Sequence, residues 1–323
     1  MVGLSWHEYL SGRLWDDCRT SCAGAAHAGG RHLRWLVGRR AEPTREFAEQ
    51  SGFEHQTLEL DKALADDAVD AVVITSPNNL QAPQATAALN AGKHVLLEIP
   101  MAMTLADAEQ LADLARQVDR TLMICHTMRF FPAFTHIRQL VDEGRFHMVQ
   151  FIGHIFLQRR TNVTAFGKSR SWTDNILWHH GAHLVDLAMW ISGCFEVRRL
   201  SYHVGPDFNE QGTMDMSLTM PLANGAIATV SHSYFAPRLR QQIRVIGHED
   251  WFEWKDGTLF DFEGNVINPE YSILELAEQE AEFISAVRES RPPSITPETI
   301  LPTMRVLAEA QASFDAERVG KQR

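Results

Sequence analysis

The segment SWTDNILWHHGAHLVDL, residues 171–187, sets three imidazoles and a carboxylate, His179, His180, His183 and Asp186, among apolar side chains. On an α-helix His179 and His183 lie four apart and Asp186 three further on, so these three share a face while His180 turns partly away. Such a face can take a proton, because imidazole titrates near neutral pH and a neighbouring carboxylate fixes its tautomer and stabilises the imidazolium. Oxidation of a hydroxyl by hydride transfer needs a base of this kind. His183 is the candidate, with Asp186 as its partner and His179 binding or polarising a substrate oxygen. Two other readings share the pattern: histidines hydrogen-bonded as structural groups, and a zinc site, since His-x-x-x-His with a nearby carboxylate has ligand spacing. No HExxH base motif accompanies the cluster, and no metal is assigned.

The basic residues around this segment point to the charge of a ligand. Arg159, Arg160 and Arg170, with Lys168 and Arg129, gather near the histidines in a chain of net charge -11. Guanidinium forks grip carboxylates in two parallel hydrogen bonds, which suits an anionic substrate; solvated surface charge is the alternative. Trp172 and His180, beside them in sequence, complete the candidate substrate set. A second basic pair, Arg39 and Arg40, follows the apolar run LRWLV. Enzymes that bind NAD place an acid there for the adenosine ribose, and an arginine pair suits the 2′-phosphate of NADP, with NAD the alternative.

The elements that must hold these groups fall into two patterns. From residue 33 onward short apolar runs alternate with helix-patterned segments, the mark of βαβ units and a parallel sheet. LRWLV, DAVVITS, HVLLEIP and TLMICH read as strands. The segments PTREFAEQSG, closed by Gly52, and QATAALNAGK, ending at Gly92, read as helices. A third opens at Thr104 with Asp107 three residues on, a capping box. This predicts a doubly wound, dinucleotide-binding domain over residues 1–126. Its opening strand and glycine-rich turn are degenerate: Gly24, Gly29 and Gly30 lack the G-x-G-x-x-G spacing, and no apolar strand precedes them. Poor packing of residues 1–30 and weak cofactor affinity follow as expectations.

Past residue 127 long alternating strands replace the βαβ pattern. Residues 214–235 read as a hairpin turning at Asn224-Gly225, with Met214, Met216, Leu218 and Met220 toward one face. The expectation for residues 127–323 is an α+β domain with a mostly antiparallel sheet, for substrate binding and oligomerisation. A chain of 323 residues, 45% hydrophobic, can bury two such cores. Its acidity argues against nucleic-acid or anionic-membrane partners and for a small-molecule ligand. No apolar run reaches the length of a membrane span and no signal-peptide core opens the chain. The four scattered cysteines suit a reducing compartment, so a cytoplasmic location is expected; Cys18 and Cys22 could clip a metal but have no second pair.

SPNN after one strand, AGKHVLLEIP after the next and a His-x-x-Asp pair on the first helix of the second domain together resemble the glucose-fructose oxidoreductase, inositol dehydrogenase and MocA family, over roughly residues 33–320. The combination EIP, HTMRFFPAF, QRRTN and RSWTDNILWHHGAHLVDL is similar to a branch that oxidises, with NADP, the cyclic hemiacetal of an anionic ring-cleavage semialdehyde in aromatic catabolism. The resemblance implies that Thr75, Pro77, Asn78, Glu98 and Pro100 surround the nicotinamide ribose. Many members carry Glu-Lys-Pro where this chain has Glu98-Ile99-Pro100, and Asp-x-Gly-x-His where it has His179-His180-Gly181-Ala182-His183. A sugar or cyclitol dehydrogenase of the same fold, a catalytically silent member and a metal-dependent hydrolase are the competing readings.

Overall fold

A computed structural model of the chain describes residues 2–5, 33–158, 175–208, 212–268 and 274–321. Two compact units emerge. Among the described residues, the first comprises those up to Thr127 and those from 274 to Leu301; the second comprises those from Met128 to 268 and from Pro302 onward. The expected division into 1–126 and 127–323 is therefore revised, because residues 274–301 return to the first unit. Thr127 donates its hydroxyl to Gln279 Oε1 at 3.1 Å, and the Ile124 amide donates to the Ile295 carbonyl at 3.4 Å. These bonds hold the returning segment at the edge of the first sheet.

That sheet has six parallel strands: β1 Val2–Ser5, β2 Trp35–Val37, β3 His55–Thr57, β4 Ala71–Thr75, β5 His94–Leu97 and β6 Leu122–Ile124. Their order is β3-β2-β1-β4-β5-β6. The expectation that no strand precedes the glycine-containing segment is corrected: Val2–Ser5 is a strand, and it pairs with both β2 and β4 at the centre of the sheet. Four residues are too few to show a period, and this strand is defined by the backbone of its two apolar neighbours. Residues 6–32, with Gly24, Gly29, Gly30, Cys18 and Cys22, lie outside the described residues. The helices of this unit are α1 Ala41–Ser51, α2 Leu60–Leu64, α3 Asn78–Asn90, α4 Leu105–Gln117 and, from the returning segment, α7 Leu274–Arg288. As the sequence predicts, α1 stops at Gly52 in the left-handed region, and the Thr104 hydroxyl caps α4 by accepting the Asp107 amide at 3.1 Å.

The second unit is built on eight strands: β7 Met148–Gln158, β8 Ser201–Val204, β9 Asp215–Pro221, β10 Ile227–Ser233, β11 Phe235–Gly247, β12 Trp251–Lys255, β13 Thr258–Phe260 and β14 Val266–Asn268. Their order is β14-β13-β12-β11-β7-β10-β9-β8, antiparallel except where β10 meets β7. The β9–β10 hairpin turns at Asn224-Gly225, where Gly225 has φ +95 and the Asn224 side chain accepts the Ala226 amide at 3.1 Å. Met214, Met216, Leu218 and Met220 are all buried, as their alternation predicts. The covered face is completed by Phe151 and Ile155, Val230 and His232, Ile243 and Val245, and Phe252 and Trp254. Helices α5 Pro132–Asp142, α6 Ala182–Ser192 and most of α8 Pro297–Lys321 belong to this unit. Helix α6 is buried almost all round, so it is a core helix rather than an amphipathic surface one. No described helix is long and apolar enough to cross a membrane.

Candidate active site

The histidine helix does not start as a regular α-helix. Residues Leu177–Gly181 form a π-turn, with the Gly181 amide donating to the Ile176 carbonyl five residues back at 2.9 Å. Asn175 opens it: its side-chain oxygen accepts the Leu177 and Trp178 amides at 3.0 and 3.1 Å. Gly181 lets the turn approach the sheet, since a Cβ there would stand 3.3 Å from Met216 Cε. The wider turn changes which imidazoles meet. His180 was expected to turn partly away; instead it is 3% exposed, its ring centroid 4.4 Å from that of His179, and its Nδ1 lies 2.6 Å from the Tyr234 hydroxyl. His179 is 4% exposed and its ring lies 6.2 Å from His183. Within this cluster His183 is half-buried, the histidine that retains access to solvent.

Asp186 acquires partners that its helical spacing did not reveal. Arg129 donates Nε to Asp186 Oδ2 at 2.8 Å and Nη2 to Oδ1 at 2.6 Å, and the Thr303 hydroxyl adds a bond to Oδ1 at 3.1 Å. The two charged side chains are 5% and 2% exposed, and the Arg129 guanidinium stands 5.8 Å from the Trp190 ring. Arg129, one of the candidate substrate residues, is thus buried in an ion pair with Asp186, the candidate partner of His183. The physical reason is desolvation: a carboxylate this deep must be met by a full opposite charge.

His232 and Tyr234 went unremarked in the sequence. Both are buried on the covered face of the second sheet, His232 to 1% exposure, and the His232 ring lies 6.2 Å from His180. Burial first, and the charge of His183 second, push its pKa down to about 3, against a smaller upward effect of the Ile155 backbone. The signal that could have found it is the period of two in IATVSHS: Ala228, Val230 and His232 fall on one face, and an imidazole on an apolar stripe calls for a reason. Arg159, Arg160, Arg170, Lys168 and Trp172 lie outside the described residues. Among the described residues no three His, Cys, Asp or Glu side chains are arranged to hold a metal ion.

In the first unit the cofactor candidates sit at carboxyl ends of strands. Arg39 and Arg40 are exposed on the turn after β2; Gly38 before them is required by close approach, since a Cβ there would meet Thr44 Oγ1 at 1.8 Å. The Thr44 hydroxyl in turn donates to the Arg40 carbonyl at 2.7 Å, fixing that turn against α1. Thr75 ends β4, Pro77 precedes α3 and Asn78 opens it. Between them the Ser76 hydroxyl is 1% exposed and has no hydrogen-bond partner among the described residues. Glu98 follows β5 and its carboxylate accepts the Ile99 amide at 3.3 Å; the Ile99–Pro100 peptide is cis. Burial, aided by the charges of Glu98 and Glu280, raises the Cys125 thiol well above its ordinary pKa, so it is not a nucleophile. An orphaned buried hydroxyl at the strand ends beside the point where strand order reverses, and an arginine pair at the end of β2, fit a nicotinamide dinucleotide.

A parallel sheet whose strand order reverses between β1 and β4 has the topology of a dinucleotide-binding domain. The sequence comparisons carry this further. Residues 11–126 match the model of an oxidoreductase family with an NAD-binding Rossmann fold, and residues 132–269 match that of the C-terminal part of bacterial oxidoreductases. The 4-carboxy-2-hydroxymuconate-6-semialdehyde dehydrogenase of Sphingobium sp. is 34% identical over 315 residues, 93% of this chain and 99% of that protein. The 1,5-anhydro-D-fructose reductase of Ensifer adhaerens is 34% identical over 122 residues, 38% of this chain and 37% of that protein. A crystal structure of an oxidoreductase domain protein from Kribbella flavida superposes with a TM-score of 0.82 at 20% identity, covering 98% of this chain and 97% of that one. The chain belongs to the Gfo/Idh/MocA family of oxidoreductases.

Proposed function

We propose that this protein oxidises the cyclic hemiacetal of an anionic semialdehyde with NADP, of the type 4-carboxy-2-hydroxymuconate-6-semialdehyde to 2-pyrone-4,6-dicarboxylate. The observation that carries the reading is the 34% identity to the Sphingobium dehydrogenase over nearly the whole of both chains. Bound dinucleotide supplies the hydride acceptor. His183 takes the hydroxyl proton; the carbinol hydrogen would depart as hydride with the C–H electron pair to the bound dinucleotide, leaving the lactone carbonyl. His179 polarises the same oxygen. Arg39 and Arg40 hold the 2′-phosphate, and Thr75, Pro77, Asn78, Glu98 and Pro100 hold the nicotinamide ribose. Arg159, Arg160, Arg170 and Trp172 bind the substrate carboxylates, while His180 and Arg129, by their contacts to Tyr234 and Asp186, hold the site in shape. Cytoplasmic residence and a homo-oligomer joined through the outer face of the second sheet belong to the same reading, supported by free Cys125 and Cys194 and by exposed Ile152 and Ile227.

A sugar dehydrogenase is the second reading, favoured by the similarity of part of the chain to 1,5-anhydro-D-fructose reductase. Steady-state oxidation of the hemiacetal dicarboxylate beside glucose and inositol separates them. A higher kcat/KM for the neutral polyols overturns the proposal.

A further inference from the structure

We propose that Gln81 is a positioning residue for Glu98, holding the one residue whose backbone orients that carboxylate; this rests on the reading of Glu98 as a contact of the nicotinamide ribose. The geometry begins with α3, whose buried positions are Asn78, Gln81, Ala85, Ala88 and Leu89. Its inward face is thus polar through the first turn and apolar after it. Gln81 is 2% exposed, and its Oε1 meets no hydrogen-bond partner among the described residues. Leucine or methionine would fill that place without stranding an amide oxygen in the core. What the glutamine supplies is one bond: Nε2 donates to the Ile99 carbonyl at 3.3 Å, across a separation of 18 residues.

Ile99 carries that bond on to Glu98. Its carbonyl is the single hydrogen-bonding group of the Ile99–Pro100 peptide unit, since proline has no N–H, and its own amide donates to Glu98 Oε2 at 3.3 Å. Gln81 and Glu98 are therefore joined through the two backbone groups of one residue. On the other side the Glu98 amide donates to the Ile74 carbonyl at 2.9 Å, which fixes where the segment leaves the sheet. From Val95 to Ala102 every side chain is buried except that of Glu98, which is half-buried at the carboxyl end of β5. The chain around it is locked in the core, and Glu98 alone among these side chains reaches the surface, at the end of the strand where open parallel sheets bind ligands. Without the Gln81 bond a buried carbonyl is left unsatisfied, and the Ile99 backbone turns toward another donor, carrying with it the amide that holds Glu98.

The test reads binding by calorimetric titration of the full chain with NADP and with adenosine 2′,5′-bisphosphate, which keeps the adenosine half and lacks the nicotinamide ribose. Gln81→Met, close in shape and without a donor, is expected to weaken NADP about fivefold, the worth of one hydrogen bond, and to leave the bisphosphate unchanged. In the Glu98→Ala background the same substitution should cost nothing further. An unchanged NADP affinity, equal losses for the two ligands, or an undiminished loss in the Glu98→Ala background overturns the proposal. Should Gln81→Met fail to fold, Gln81→Glu carries the test, because its carboxyl donates to the Ile99 carbonyl only while protonated. The ratio of NADP to bisphosphate affinity should then fall, relative to wild type, as pH rises through that titration, and a ratio that tracks wild type overturns the proposal. NADP binding by Glu98→Ala as tight as that of wild type would instead refute the reading of Glu98, a failure seen in that single variant and separate from the effect of Gln81→Met.

Discussion

Replacing Asp186 by alanine should cost the protein several kcal/mol of stability. The structure sets the magnitude: the Arg129 and Asp186 side chains are 5% and 2% exposed and joined by two hydrogen bonds, so removal of the carboxylate leaves a guanidinium buried without its counter-ion. Breaking a buried pair from one side costs about 3–5 kcal/mol, most of it the penalty of the stranded charge. Loss of the Thr303 bond adds about 1 kcal/mol, which Thr303→Val should show by itself. Removing both charges is different. The double variant Arg129→Met/Asp186→Ala strands nothing, and it should be more stable than Asp186→Ala alone. Urea unfolding followed by circular dichroism and tryptophan fluorescence measures the cycle, with Trp190 beside Arg129 as a local reporter. A cost below about 1 kcal/mol for Asp186→Ala, or a double variant as destabilised as the sum of the singles, would refute the reasoning.

Three further outcomes are expected. His183→Ala should lower kcat about a hundredfold or more, the usual worth of a general base, while Tyr234→Phe, which removes only the hydroxyl at His180 Nδ1, should cost about 1 kcal/mol of stability; equal kcat losses would remove His183 from its role. Arg39→Ala and Arg40→Ala should weaken NADP far more than NAD in calorimetric titration, because only NADP carries the extra phosphate, and parallel losses would show that the pair reads something else. Acid stability should depend on His232: its folded pKa of about 3 lies below the unfolded value near 6.5, so the unfolded chain binds the extra proton between these limits and stability falls as pH drops through that window, by up to about 1.4 kcal/mol per pH unit. His232→Leu should flatten this part of the stability profile, and an unchanged slope between pH 6 and 4 would show that the group does not contribute.

Much of the architecture was legible because it rests on short-range patterns. The Thr104 cap, the stop at Gly52, the turn at Asn224-Gly225 and the inward row Met214, Met216, Leu218 and Met220 follow from backbone geometry and a period of two, which a few neighbouring residues express. The histidine segment advertised itself in the same way, since His179, His180 and His183 stand within one stretch of chain. Its internal geometry did not: the π-turn at Leu177–Gly181 depends on how closely Gly181 approaches Met216, a contact with a strand more than thirty residues on.

Residue types and spacing by themselves determined two units of different sheet type, a helix that gathers three histidines and a basic pair at the end of a strand of the parallel sheet. Tertiary structure alone decided that Val2–Ser5 is the central strand, that residues 274–301 rejoin the first unit, and which groups each polar side chain meets. Asp186 found Arg129 at 57 residues' separation and Thr303 at 117, and His180 found Tyr234 at 54. The reason is that a buried polar group takes whatever opposite charge or hydrogen-bonding partner packing delivers to it. Desolvation makes a partner obligatory, while the chain's spacing says only that one is needed.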